Sequence, residues 1–285
     1  MESLWHFQQT VPFNLINLFE TPCRIQLMAH QKSDPRKTDM KFESFGDNLR
    51  IVVIGSTGGI GAALVNQLVE CEQVSRVHAL SRTGHSHPSP KVSNLTFDFA
   101  DEESLIAAAQ ALEAVKPIDM VLVATGLLQD ETISPEKNLK SMTRIGFSKS
   151  FEINTIGPAL TAKYFIPLLR RDAKSIFAAL SARVGSISDN RLGGWYAYRA
   201  AKAALNMVIK TAALETQRRF PNQIIAGLHP GTVDTNLSKP FQSNVADGKL
   251  FTPDFSAQKL LEVVDELRPS DSGNLFDWAG KQIEF

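Results

Sequence analysis

From Leu49 onward the chain alternates short apolar runs, bounded by turn residues, with longer stretches of helical period. The short runs predict strands at Arg50–Ile54, Arg76–Leu80, Asn94–Phe97, Asp119–Ala124, Ser175–Leu180, Gln223–Leu228 and Asn274–Phe276. The longer ones predict helices at Gly59–Glu70, Glu102–Val115, Phe147–Arg171, Tyr196–Arg219 and Asp254–Leu267. Strands apolar on both faces, alternating with helices, specify one parallel sheet covered on each side. The expected fold class is therefore α/β, a doubly wound Rossmann-type domain of about seven strands. Right-handed crossovers open the ligand crevice at the carboxyl ends of the strands, so chemistry is expected just after strands.

Residues 1–48 hold no sustained period, and His30–Asp39 is polar with a proline in it. They read as an N-terminal extension to a single domain over residues 49–285. Met28 and Met40 both precede the first strong signal, and one expectation is that translation starts at one of them. The competing expectation is an amphipathic arm using Trp5, Phe13, Leu15, Leu18 and Phe19. No basic start followed by an apolar core is present, which argues against a signal or transit peptide.

Composition narrows the function classes. With 43% hydrophobic and 21% charged residues in 285, the chain can bury a substantial core, which excludes a disordered tail or fibrous repeat. Thirty basic residues balance thirty acidic ones, so there is no cationic excess for nucleic acid or an anionic membrane surface. No apolar run reaches the roughly 18 residues of a spanning helix. Cys23 and Cys71 make neither a disulfide framework nor a zinc spacing. A reducing, cytoplasmic setting without a metal is the expectation.

The first predicted strand runs directly into Gly55-Ser56-Thr57-Gly58-Gly59-Ile60-Gly61 and then a helix. Such a turn aims free backbone N–H groups and a positive helix end at an anion, and glycine lets a pyrophosphate approach closely. The spacing is G-x-x-x-G-x-G rather than the ordinary G-x-G-x-x-G. Here the chain resembles the short-chain dehydrogenase/reductase superfamily, with Gly55, Gly59, Ile60 and Gly61 on its glycine motif and Ile54 where that family usually has Thr.

The end of the second predicted strand selects the cofactor. An acidic residue there would accept from ribose hydroxyls, but no carboxylate lies between Glu72 and Asp98. Ser81 and Arg82 stand in its place and suit a 2′-phosphate, which favours NADP(H).

Tyr198 and Lys202 lie four residues apart in a strongly helical segment and so share one helix face. An ammonium beside a phenol stabilises phenolate, so the pair is expected to lower the tyrosine pKa. Ser181 ends the fifth predicted strand, where its hydroxyl could hold a carbonyl oxygen beside the tyrosine; Ser186 and Ser188 are weaker candidates. Asn154 lies in a long predicted helix with Pro158 four residues on, and proline frees carbonyl groups from the helix ladder.

The resemblance assigns further roles. It implies that Asn154 kinks its helix and holds a relay water, and that Asp98 and Phe99 contact adenine. Pro230, Gly231 and Thr232 would meet the nicotinamide carboxamide. Ala124-Thr125-Gly126 stands where Asn-Ala-Gly is usual, which leaves Ala124 and Gly126 as cofactor contacts. The segments Leu180–Ile187, Gly193–Tyr196, His229–Thr235 and Asp277–Gly280 resemble a narrower group, the C-factor-like and sniffer-like carbonyl reductases. Membership implies hydride transfer between NADP(H) and a small carbonyl or alcohol substrate at a Ser181–Tyr198–Lys202–Asn154 site, in a homodimer or homotetramer. The alternative expectation is a non-catalytic NADP(H)-binding regulator on the same fold. Too little chain follows Pro230 for the substrate domain of a sugar-nucleotide epimerase. The stretch Asp234–Leu250, with Leu237, Phe241 and Val245, is expected to form a lid over a partly apolar pocket.

Overall fold

The computed structural model describes residues 40–84, 86–244 and 248–285. The expectations for residues 1–39 (the amphipathic arm, the Met28 start, Cys23) and for Val245 lie outside the described residues.

Among the described residues ten strands form: β1 (Leu49–Ile54), β2 (Val74–Ser81), β3 (Val92–Thr96), β4 (Met120–Val123), β5 (Ser175–Leu180), β6 (Gln223–His229), β7 (Thr232–Val233), β8 (Leu250–Phe251), β9 (Leu275–Asp277) and β10 (Gln282–Ile283). Eight of them make one sheet in the order β10-β9-β6-β5-β4-β1-β2-β3. All neighbours in it are parallel except β9 and β10. The doubly wound expectation therefore holds, with one antiparallel edge strand of two residues, too short to leave a periodic signal.

Alternation along each strand sends neighbouring side chains to opposite faces. Ile51 and Val53 of β1 face Leu64 and Leu68 of α1 (Gly59–Glu70) and Leu260, Leu261 and Val264 of α6 (Pro253–Glu266). Val52 and Ile54 face Leu105 and Leu112 of α2 (Glu102–Glu113), Phe165 of α4 (Gly157–Phe165), and Leu205 and Ile209 of α5 (Tyr196–Gln217). Full burial of each such side chain stabilises the fold by about 1.5–3 kcal/mol.

The structure modifies three expectations. Residues 40–48 are built into the domain: Phe42 is 1% exposed and Phe45 7%, and the Phe42 N–H donates to Gln73 Oε1 at 2.7 Å. The helix expected over Phe147–Arg171 is divided into α3 (Arg144–Phe151), a π-helical turn at Glu152–Ile156, α4, and a 3₁₀ turn at Ile166–Leu168. Pro158 is the cause at the first break, because it has no N–H to give the carbonyl four residues earlier. The expected lid is bracketed by β7 and β8, which pair, and Lys239–Asn244 within it is 3₁₀.

Candidate active site

The chain after β1 turns through Gly55 at φ +84 into α1. A side chain at Gly55 would meet Thr125 Cγ2 at 2.9 Å, and one at Gly61 would lie 2.1 Å from the Gly55 carbonyl oxygen. Gly59 is equally constrained, since its Cβ would come within 2.6 Å of Thr235. The α1 N-terminus has Gly58 as N-cap and no side-chain cap, which leaves first-turn N–H groups for an outside acceptor. The Gly55 and Ser56 N–H groups and the Ser56 hydroxyl all donate to the Leu80 carbonyl, which leaves the Thr57, Gly59, Ile60 and Gly61 part of this cradle to fit a pyrophosphate. The segment after β7 arches over it, with Thr235 beside Gly59 and Leu237 3.4 Å from where a Gly126 Cβ would lie.

At the end of β2, Ser81 is buried and Arg82 is exposed, without an ion pair among the described residues. Asp98 accepts from the Ala100 N–H, while the cap of α2 is Asp101. Phe99 has a packing role: its ring lies 5.1 Å from that of Phe97 and fills the space where a Gly157 Cβ would sit, at 2.4 Å. Only its backbone is left to meet an adenine. After β4, the Ala124 N–H is bonded to Ile54, and the Thr125 hydroxyl is sealed without a partner. Pro230 follows β6, and Gly231, at φ +79, lies against the Phe251 ring, placing Thr232 at the start of β7.

Tyr198 and Lys202 both project from the first two turns of α5. Lys202 is 2% exposed; its ammonium donates to the Leu180 carbonyl at 2.8 Å and lies 5.8 Å from the Tyr198 ring centre. Gly185 packs so close that an added Cβ would come within 2.8 Å of Lys202 Cβ, which seals the lysine. An ammonium has three donors, so two remain for ligand hydroxyls. Among the described residues nothing hydrogen-bonds the Tyr198 hydroxyl, and Tyr198 is half-buried. Beside it stand Trp195, with ring centres 6.3 Å apart, and Phe241, 5.2 Å from Trp195.

Burial pushes the Tyr198 phenol up to about 12 and the Lys202 ammonium down to about 7. The expected lowering of the tyrosine is therefore not what this environment produces. Removing charge from water favours the neutral form of both groups, and this outweighs their mutual attraction.

Ser181 also departs from expectation. Its hydroxyl donates to Asn206 Oδ1 at 2.7 Å in the buried interior, and Ser181 itself is 3% exposed. Asn206 lies eight residues beyond Tyr198 on α5, about 12 Å along the helix axis. The single hydroxyl proton of Ser181 is thus engaged by Asn206. Ser186 accepts from the Asp189 N–H and lies 3.3 Å from Ser188, so both belong to a turn.

Asn154 is fully buried in the π-helical turn. Its Oδ1 accepts from the Leu127 N–H at 3.0 Å, and its Nδ2 donates to the Leu127 carbonyl at 2.7 Å and to Ser150. The side chain is spent on clamping the loop after β4. Pro158 has no N–H to offer the Asn154 backbone carbonyl in the four-residue helix ladder.

Sequence reasoning missed Asn206, Trp195 and Glu136. Asn206 continues the four-residue spacing from Tyr198 and Lys202, a signal that was available. Trp195 follows two glycines, and its φ of +51 is invisible in sequence. Glu136 reaches α5 from a distant loop and leaves no local signature.

A family profile described as short chain dehydrogenase matches residues 50–246. The chain is 37% identical over 136 residues to C-signal of Myxococcus xanthus, covering 48% of this chain and 76% of that protein. It is 32% identical over 214 residues to the 1-hydroxy-2-glutathionyl-2-methyl-3-butene dehydrogenase of Rhodococcus sp. (strain AD45), covering 69% and 88%. Its fold matches NADPH-bound carbonyl reductase from chicken fatty liver with a TM-score of 0.75 at 23% identity, over 88% of this chain and 98% of that one. A glycine cradle at the first strand, a tyrosine and lysine one turn apart on α5, and a profile match over most of the domain lead to one assignment: the chain belongs to the short-chain dehydrogenase family.

Proposed function

We propose that this chain is an NADP(H)-dependent oxidoreductase that reduces a small aldehyde or ketone, with Tyr198 as proton donor. The carrying observation is a half-buried Tyr198, its hydroxyl without a hydrogen-bond partner among the described residues, on the same helix as a sealed lysine with two spare donors. The glycine cradle, the uncapped start of α1 and those lysine donors fit a nicotinamide dinucleotide. Arg82 and Ser81 suit its 2′-phosphate, and the backbones of Asp98, Phe99, Ala124, Gly126, Pro230, Gly231 and Thr232 line the remaining strand ends. The bound dinucleotide supplies hydride.

The protein's own groups do the rest. A phenol held neutral by burial donates a hydrogen bond to the substrate carbonyl and then its proton to the developing alkoxide. Lys202 holds ribose hydroxyls and favours the phenolate left behind. The Asn154 carbonyl accepts a water that restores the proton through the lysine. Ser181 reaches a substrate oxygen only by releasing Asn206, so polarisation falls mainly on Tyr198. Trp195 and Phe241 favour a carbonyl carried on an apolar or flat group. Exposed Ile145, Ile156, Met207 and Leu214 on α3–α5 support association of two or four copies through those helices.

The test is oxidation of NADPH and of NADH, measured side by side with a panel of aldehydes and diketones. Turnover with NADPH that disappears in Tyr198→Phe, with cofactor binding retained, is the expected result. Micromolar NADPH binding with no turnover on any substrate would favour the regulator instead.

A further inference from the structure

The helix that carries Tyr198 and Lys202 begins without a cap of its own. Its N-cap residue, Trp195, has no side-chain cap and sits at φ +51, a left-handed conformation that bulky residues rarely adopt. Gly193 and Gly194, both at φ +66, lead into it. Something outside the helix must impose this start, because the local chain would relax from it.

Glu136 supplies the missing contacts from the loop between β4 and α3. Its backbone carbonyl accepts from the Trp195 N–H at 2.6 Å, and its carboxylate Oε2 accepts from the Ala197 N–H at 3.2 Å. These are two of the first N–H groups that α5 cannot satisfy internally. Gly194 passes so close that a Cβ there would lie 3.3 Å from the Glu136 carbonyl oxygen. The other carboxylate oxygen lies 3.5 Å from where a Gly146 Cβ would be, in the first turn of α3. One side chain, 5% exposed, therefore sits where the positive ends of two helices meet. One helix carries Tyr198 and Lys202; the other continues into the turn that holds Asn154.

We propose that Glu136 is a positioning residue: it fixes the left-handed entry and first turn of α5, and so sets where Trp195 and the Tyr198 hydroxyl stand over the cleft. The inference rests on the reading of Tyr198 as proton donor. Among the described residues the contacts of Glu136 are to the starts of α5 and α3 and none is to the glycine cradle, so its loss should misplace the phenol without weakening the cofactor.

The test compares Glu136→Ala, Glu136→Gln and Tyr198→Phe in the full chain. A second set of the two Glu136 variants carries Trp5→Phe and Trp278→Phe, leaving Trp195 as the only tryptophan. Glu136→Ala should lower kcat by about 10- to 100-fold, the scale of a small misplacement at a reacting centre, with NADPH affinity unchanged. Trp195 emission should shift and become more open to acrylamide quenching. Glu136→Gln keeps an acceptor oxygen toward Ala197 and should recover most of both. Wild-type kcat in Glu136→Ala, an equal loss of NADPH affinity, or no change at Trp195 overturns the proposal. Turnover retained in Tyr198→Phe overturns the catalytic reading instead, and the Trp195 readout then still decides whether Glu136 holds the helix start.

Discussion

Lys202 allows the sharpest physical test, because a group suited to catalysis here should be a liability to folding. Burial lowers its pKa from 10.5 to about 7. At about 1.4 kcal/mol per pH unit, charging this lysine costs the folded state roughly 5 kcal/mol below pH 7. The unfolded chain binds the extra proton between about pH 7 and 10.5, so stability rises with pH through that window. Replacing Lys202 with Met keeps the length of the side chain and removes the charge. It also loses the 2.8 Å bond to Leu180, worth about 1.5–3 kcal/mol for a charged donor. The net expectation is a gain of roughly 2–3 kcal/mol at pH 6, shrinking toward zero and reversing as the pH approaches 10. Urea unfolding followed by circular dichroism at pH 6, 7.5 and 9 measures it, and turnover should be lost in the same variant. A Lys202→Met protein no more stable than wild type at pH 6, or a gain independent of pH, would refute the burial argument.

Other outcomes follow from the same geometry. Ser181→Ala should cost about 1–3 kcal/mol of stability by leaving the buried Asn206 oxygen unpaired, and reduce turnover far less than Tyr198→Phe; an equal loss would return the serine hydroxyl to the carbonyl. Because the Tyr198 phenol is raised to about 12, carbonyl reduction should persist through pH 9 while the reverse alcohol oxidation keeps rising toward alkaline pH; a neutral optimum for oxidation would contradict this. Arg82→Ala should raise the NADPH KM and leave the NADH KM little changed, read from initial rates with each cofactor. His78 and His229 are both lowered from 6.5 to about 4, chiefly by burial, so the unfolded chain takes up more protons in that interval and stability should fall on acidification from about pH 6.5 to 4. His229→Gln should flatten that slope in denaturant titrations.

The architecture was legible because its causes are local. All seven expected strands and four of the five expected helices form unbroken, because their apolar periods and breakers lie within a few residues of one another, and Ser175–Leu180 and Gly59–Glu70 form with the bounds their patterns gave. The glycine turn could be read as a cradle because glycine at Gly55, Gly59 and Gly61 answers a steric demand of the adjoining backbone. The four-residue step from Tyr198 to Lys202 needed only helical geometry. Environment was different. Whether the phenol titrates upward or downward depends on how much water the folded chain removes, which no spacing encodes, and here desolvation opposed the simple charge-pair argument. The partner of Ser181 came from a turn of α5 that the sheet alone brings within reach. Glu136 meets Trp195 and Ala197 only after β4, α3 and α5 have packed. Periodicity and backbone sterics act between near neighbours and survive in a linear reading; burial and long-range hydrogen bonds are properties of the packed chain and arise only when distant segments exclude water together.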